Sequence, residues 1–210
     1  IYSTLMSDIK NIEQHYSLDE RPFLEKVRGF CQLVDERYSP YLTDFLNPRE
    51  IQIVEELAHY YNLKFFVSST PESEEYGRVI LAPEYYELDD EDFEIKRLEI
   101  SYARQFNKLT HPKVLGALIN QLGLDRQVFG DIILDEEGRV QFSIASHLAS
   151  YAIITITKIG NVSVTLKEVS KDDWISNQEK YSKTFVLLSR MRLDNVLATV
   201  LNLSRSNALK

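Results

Sequence analysis

Seven residues near the end of this 210-residue chain have types and spacing suited to gripping a polyanion: Arg190, Arg192, Ser204, Arg205, Ser206, Asn207 and Lys210. A guanidinium can hold a phosphate through two parallel hydrogen bonds, which an ammonium cannot copy. Ser204 is placed to cap a helix, and a helix N-terminus offers unbonded backbone N–H groups and a partial positive charge. Arg205 falls in that first turn, and the Ser206 hydroxyl and Asn207 amide add donors. Ahead of them Val196, Leu197, Val200 and Leu201 recur at helical spacing, and Asn202 can end the helix. The predicted chemistry is phosphate recognition. The alternative is an ordinary helical hairpin with a capping serine.

Charge distribution favours the first reading. The chain carries 24 Lys+Arg and 32 Asp+Glu, a net of −8. Residues 180–210 hold six basic side chains against Asp194 alone, a net of +5, which leaves −13 on residues 1–179. An acidic body repels a polyanion unless a local basic patch faces it. The patch here is interleaved with a folded-domain pattern, which argues against a membrane surface.

Other chemistries find little support. His15, His59, His111 and His147 are scattered, with no H-x-x-x-H pattern and no cysteine pair to fix a metal. Cys31, the one cysteine, sits between Phe30 and Leu33 on a predicted helix and reads as a small buried apolar residue. A single cysteine excludes an internal disulfide framework and fits a reducing cytoplasm. Residues 84–94 contain seven carboxylates but not the D-x-D-x-D-G spacing of a calcium loop, so they read as a solvated linker. No apolar run approaches the roughly 18 residues of a membrane span, and residues 1–10 lack the pattern of a secretory signal. No catalytic residue, metal ligand or cofactor is expected.

The elements that must position the basic residues follow from periodicity. With 44% hydrophobic residues the chain can bury real cores, and two or three small domains are the natural division. Residues 1 to about 62 read as helices. One opens near Ser17 or Asp19 with Pro22 in its first turn and Phe23, Val27, Phe30 and Val34 on one face. Another opens at Asn47-Pro48-Arg49-Glu50, a capping-box pattern. Residues 63–68 and 78–82 look like the strands of a hairpin, giving a helical N-terminal domain over residues 1–88. From residue 89 to 169 the expectation is a ferredoxin-like βαββαβ domain: strand 95–102, helix 111–122, strand 131–134, strand 139–144, helix 145–157 and strand 162–166. Residues 153–157 would also suit a strand. Phe142 shares its face with Val140 and Ile144, so it reads as core and not as a base-stacking platform on the sheet.

Within that domain Gly116 suggests close packing of its helix on the sheet, and Gly123 a left-handed helix end. Gly130-Asp131 suits a sharp approach to a strand, and Asp135-Glu136-Glu137-Gly138 a hairpin turn. Lys113 and Arg126, at the two ends of this unit, are the nominated auxiliary phosphate contacts. Trp174 stands in a polar linker and could dock one domain on another.

The run Arg192-Leu193-Asp194, an apolar helix, then Ser204-Arg205 and Ala208, resembles the opening of the S-four RNA-binding domain. That resemblance implies two short helices presenting a basic surface to structured RNA. A strand pair would follow Lys210, so the module, over residues 184–210, is expected to be incomplete in this sequence. Pseudouridine synthases carry a catalytic aspartate in an R-L-D sequence, but Asn195-Val196-Leu197 follows here, and Asp194 reads as a helix-start residue. The H-I-G-H and K-M-S-K-S motifs of a tyrosyl-tRNA synthetase are absent.

Thr110-His111-x-Lys113-x-Leu115-Gly116, Gln121-x-Gly123, Arg126 and Gly130-Asp131-Ile132, together with the terminal pair, resemble the YlmH-type proteins over essentially the whole chain. The resemblance implies an α+β, non-enzymatic, monomeric RNA-binding protein encoded near cell-division genes. It implies association with ribosomal RNA of the large ribosomal subunit, with transfer RNA as a second candidate, in rescue or quality control of stalled translation. The strongest non-RNA alternative is a protein-interaction adaptor that uses the acidic N-terminal domain.

Overall fold

The computed structural model of the chain describes residues 16–69 and 74–175, all within a compact unit that runs to Asn177. Helix α1 (Arg21–Arg37) has Pro in its first turn and buries Leu24, Val27, Cys31 and Val34. Phe23 and Phe30, expected on the same face, pack against that core but are only partly buried. Neither Ser17 nor Asp19 caps the helix. Its N-cap is Glu20, whose carboxylate accepts the Ser17 backbone N–H at 2.9 Å and pairs with Arg49 at 2.6 Å. Helix α2 (Pro48–Tyr60) begins as predicted: Asn47 Oδ1 accepts the Glu50 N–H at 2.9 Å, and Glu50 Oε2 accepts the Asn47 N–H at 2.9 Å.

The all-helical reading of residues 1–62 is corrected by strand β1 (Tyr41–Leu46), which separates the two helices. It joins β2 (Lys64–Val67) and β3 (Gly77–Ala82) in an antiparallel sheet of order β1-β3-β2. Six residues with an interrupted alternation give a weak local signal, and the hydrogen-bonding partner lies more than thirty positions away. The pairing shifts register between Leu42 and Phe45. There the buried Arg78 donates to the carbonyl oxygens of Thr43 (2.8 Å), Phe93 (3.0 Å) and Glu94 (3.0 Å). These bonds fasten the sheet to a 3-10 turn (Asp90–Phe93), so the acidic segment 84–94 is partly ordered and not a plain linker.

The second half builds a four-stranded antiparallel sheet from β4 (Ile95–Ser101), β5 (Phe129–Leu134), β6 (Val140–Ala145) and β9 (Thr165–Glu168). Their order across the sheet is β5-β6-β4-β9. Helix α3 (His111–Leu122) connects β4 to β5, and α4 (Ala149–Thr155) precedes the return to β9. Leu98, Ile100, Val140, Phe142 and Ile144 point to the helices and form one core with Val114, Leu118, Leu122 and Ala152. Phe142 is thus core, as its neighbours on the strand implied. The second helix is shorter than residues 145–157, because residues 146–148 form a 3-10 turn. The closing strand also differs: β8 (Val162–Ser163) folds back on β7 (Lys158–Ile159) as a small hairpin, and β9 alone joins the sheet. Gly160, at φ 59°, makes the hairpin turn.

Candidate nucleic-acid interface

The helix-free face of the four-stranded sheet is where a single-stranded RNA would stack in an RRM-type domain. Alternation puts Arg97, Glu99, Gln141 and Ser143 on that face, and all four are buried. Residues 173–175 cross it. Gln141 Nε2 donates to the Asp173 carbonyl at 2.9 Å, Gln141 Oε1 accepts the Ile175 N–H at 2.9 Å, and the Arg97 guanidinium lies 4.2 Å from the Trp174 ring. Trp174 therefore covers the sheet beside it. Arg97 also pairs with Glu74 and donates to Ser143 Oγ at 3.1 Å.

The charges on this face are held by one another. Burial lowers the Arg97 pKa to about 10, with Asp131 acting in the opposite direction. Burial pulls the Glu99 carboxyl up, but hydrogen bonds from Arg139 (2.7 Å) and Gln141 (2.9 Å) outweigh it and leave it below the usual range. Asp131 is raised by burial, against the pull of the Glu75 and Tyr76 N–H groups at 2.5 and 3.2 Å. Gly130-Asp131 lies within an irregularity of β5, where Gly130 lets the Phe45 ring rest on the strand. Over the central strands this surface is an internal seam, closed to base stacking, while Lys167, opposite Glu99 on β9, is exposed at its edge.

The helix side offers an open groove instead. It has a volume of about 520 Å³ between α3 and the β7–β8 hairpin, lined by Lys108, Lys113, Gly116, Asn120, Gln121 and Asn161 among others. Gln121 Nε2 donates to the Lys158 carbonyl at 2.8 Å, which holds the hairpin against the helix. Gly123, at φ 64°, ends α3 as expected, and its N–H reaches the Ile119 carbonyl at 3.0 Å. Gly116 does not pack on the sheet: a Cβ there would meet nothing within 4 Å, because the residue faces the groove.

Lys113 is exposed on the groove wall, and among the described residues neither it nor Lys108 has a carboxylate partner. Arg126 is not brought to that groove. It lies in a 3-10 turn (Arg126–Val128), donates to the Phe129 carbonyl and sits 4.2 Å from the Tyr76 ring. Arg190, Arg192, Ser204, Arg205, Ser206, Asn207 and Lys210 lie outside the described residues. Sequence reasoning passes over Lys108 and the loop before α3. The signal is present: residues 101–124 hold Arg104, Lys108 and Lys113 and not one carboxylate.

Among the described residues no three His, Cys, Asp or Glu side chains are placed to hold a metal ion. Burial pushes the Cys31 thiol up to about 12, which suits a core side chain and not a nucleophile. No helix among the described residues is long and apolar enough to cross a membrane.

A helix-backed antiparallel sheet with a closed polar face, joined to a smaller α/β layer, defines the class as a mixed α+β protein. Residues 89–173 match the family described as "Putative RNA-binding domain in YlmH". The sequence is 32% identical over 200 residues to the ribosome-associated protein quality control protein P2 of Bacillus subtilis (strain 168), covering 95% of this chain and 77% of that one. The fold is similar to the solved structure of cell division protein ylmH from Streptococcus pneumoniae, with a TM-score of 0.69 and 40% identity. That likeness covers 77% of this chain and 98% of the other. The chain belongs to the YlmH family.

Proposed function

We propose that this protein is a non-enzymatic RNA-binding protein that docks on the large ribosomal subunit in rescue or quality control of stalled translation. One observation carries the reading. The RNA-binding-domain match at residues 89–173 lies inside a 32% identity, over 95% of the chain, to a protein named for ribosome-associated quality control. The strand order β5-β6-β4-β9, antiparallel throughout, supports treating residues 89–169 as a ferredoxin-like module. In this reading the terminal S-four segment is the principal grip on structured RNA, through Arg190, Arg192, Ser204, Arg205, Ser206, Asn207 and Lys210, and Lys113 is auxiliary. Arg126 is a weaker candidate, since its guanidinium is already engaged. The protein acts as a cytoplasmic monomer on ribosomal RNA, with transfer RNA as a second ligand. The link to cell division rests on the name of the streptococcal relative.

The test is sedimentation of the intact protein with purified ribosomal particles across a salt series. Co-migration with the large subunit that disappears in Arg192→Ala/Arg205→Ala supports the reading. Protein that stays at the top of every gradient, or that follows the particles with no dependence on salt or on those arginines, overturns it in favour of a protein-interaction adaptor.

A further inference from the structure

The loop from β4 to α3 presents an aromatic ring that the fold itself does not use. Phe106 is 79% exposed. The loop is nonetheless pinned at both ends: Tyr102 Oη donates to the Gly138 carbonyl at 2.8 Å, and Leu109 is buried at 2% exposure. Between these anchors the backbone N–H groups of Phe106 and Asn107 and the Asn107 side-chain amide all converge on the Ala103 carbonyl at 3.2 Å. Phe106 therefore stands on an ordered turn.

Single exposed apolar side chains are ordinary, so exposure alone decides nothing. The surroundings do. Among the described residues the other well-exposed aromatics are engaged: Tyr38 and Tyr85 pack ring to ring at 5.0 Å, and Tyr151 donates to the Leu122 carbonyl at 3.3 Å. Phe106 has no ring partner among the described residues. It lies in the stretch 101–124 that carries Arg104, Lys108 and Lys113 without an acid, in a chain of net charge −8. Two residues on, Lys108 lines the groove whose walls also hold Lys113 and the Asn120, Gln121 and Asn161 amides.

An aromatic face on an ordered turn, followed by cations and amide donors in a groove, is how sequence-tolerant sites hold single-stranded nucleic acid. The ring takes a base, and the groove takes the backbone. On the opposite face of the sheet residues 173–175 cover the central strands, where an RRM-type domain would stack its bases. We propose that Phe106 is a base-stacking platform for single-stranded RNA, and that the Lys108–Lys113 groove carries the phosphates of the same strand. This rests on the RNA-binding reading above and adds a second site, distinct in ligand form from the structured-RNA grip of the terminal segment.

The test compares a short labelled single-stranded RNA with a blunt duplex of the same sequence, using the intact protein. Phe106→Ala should weaken single-strand binding about fivefold to a hundred-and-fiftyfold, from about 1–3 kcal/mol per stacked base at 1.4 kcal/mol per tenfold. It should leave the salt slope, the duplex affinity and the melting temperature unchanged, since the ring is exposed and uncharged. Phe106→Trp should retain binding. Lys108→Gln/Lys113→Gln should lower the slope of log K against log salt by about 1.4, at about 0.7 for each single-strand phosphate that is no longer neutralised. If the wild type binds single strands and Phe106→Ala binds them equally well, this proposal falls while RNA binding stands. If the wild type binds no RNA of any form, the underlying reading falls. If Phe106→Ala impairs binding to ribosomal particles but not to naked RNA, the ring meets a protein and the proposal is overturned.

Discussion

Gly116 permits a test in which stability and binding should move in opposite directions. The residue lies in the interior of α3 (His111–Leu122), where glycine costs about 0.5–1 kcal/mol relative to alanine. A Cβ at this position would meet nothing within 4 Å, and the residue lines the groove between α3 and the β7–β8 hairpin. Gly116→Glu therefore adds a good helix former without a clash and places a carboxylate in the groove. A gain of up to about 1 kcal/mol should raise the melting temperature by about 1–4 °C for a chain of this size. A phosphate about 7 Å from the new charge would be repelled by about 0.6 kcal/mol in a water-like dielectric and about 2.4 kcal/mol at an effective dielectric of 20. The expected loss of RNA affinity is then about threefold to sixtyfold. Gly116→Ala should gain the same stability with a much smaller loss. Differential scanning fluorimetry and fluorescence anisotropy on the same preparations give both readings. A fall in melting temperature would show that the site is not open. A rise with unchanged RNA affinity would remove the groove from the interface.

Three further outcomes follow from the core and the sheet. Gly130→Ala places a Cβ 2.7 Å from the Phe45 ring and 2.9 Å from Ser143 Cβ, both on buried residues, so it should cost about 1–3 kcal/mol in denaturant unfolding, partly recovered in Gly130→Ala/Phe45→Leu. Glu99 has a folded pKa below its ordinary value, so its stabilisation is complete above about pH 4.3 and is lost as pH falls through the folded value. Glu99→Gln should accordingly flatten the acid limb of stability against pH, and an unaltered limb would contradict the assignment. Cys31, fully buried and with its thiol pushed up to about 12, should resist an aromatic disulfide reagent in the native protein and react on unfolding.

The sequence is legible wherever a few adjacent residues decide the outcome. Asn47-Pro48-Arg49-Glu50 contains both partners of a capping box within four positions, so α2 starts where the sequence says it should. Gly123 and Gly138 mark a helix end and a hairpin turn because their positive φ values are local requirements. The alternation of Val140, Phe142 and Ile144 places Phe142 in the core, since period two assigns every second side chain to the same face. The family resemblance is legible for a similar reason, because it is carried by residue types at fixed spacing.

The remainder depends on partners distant along the chain. Strand β1 is short and weakly patterned, and it exists because β3 offers it hydrogen bonds from more than thirty residues away. Gly116 reads identically whether it faces a sheet or a groove. Only the placement of the β7–β8 hairpin, held by Gln121 on the Lys158 carbonyl, makes it a groove residue. Trp174 has the surroundings of a linker residue in sequence, yet the Arg97 guanidinium and the Gln141 amide fix its segment across the sheet. Arg126 and Lys113 are both basic and lie in one motif, yet one is engaged by Tyr76 and the Phe129 carbonyl and the other is exposed. Composition and period report what a residue prefers. Whether a charge is free to meet a ligand depends on which distant group reaches it first, and only the folded chain brings those groups together.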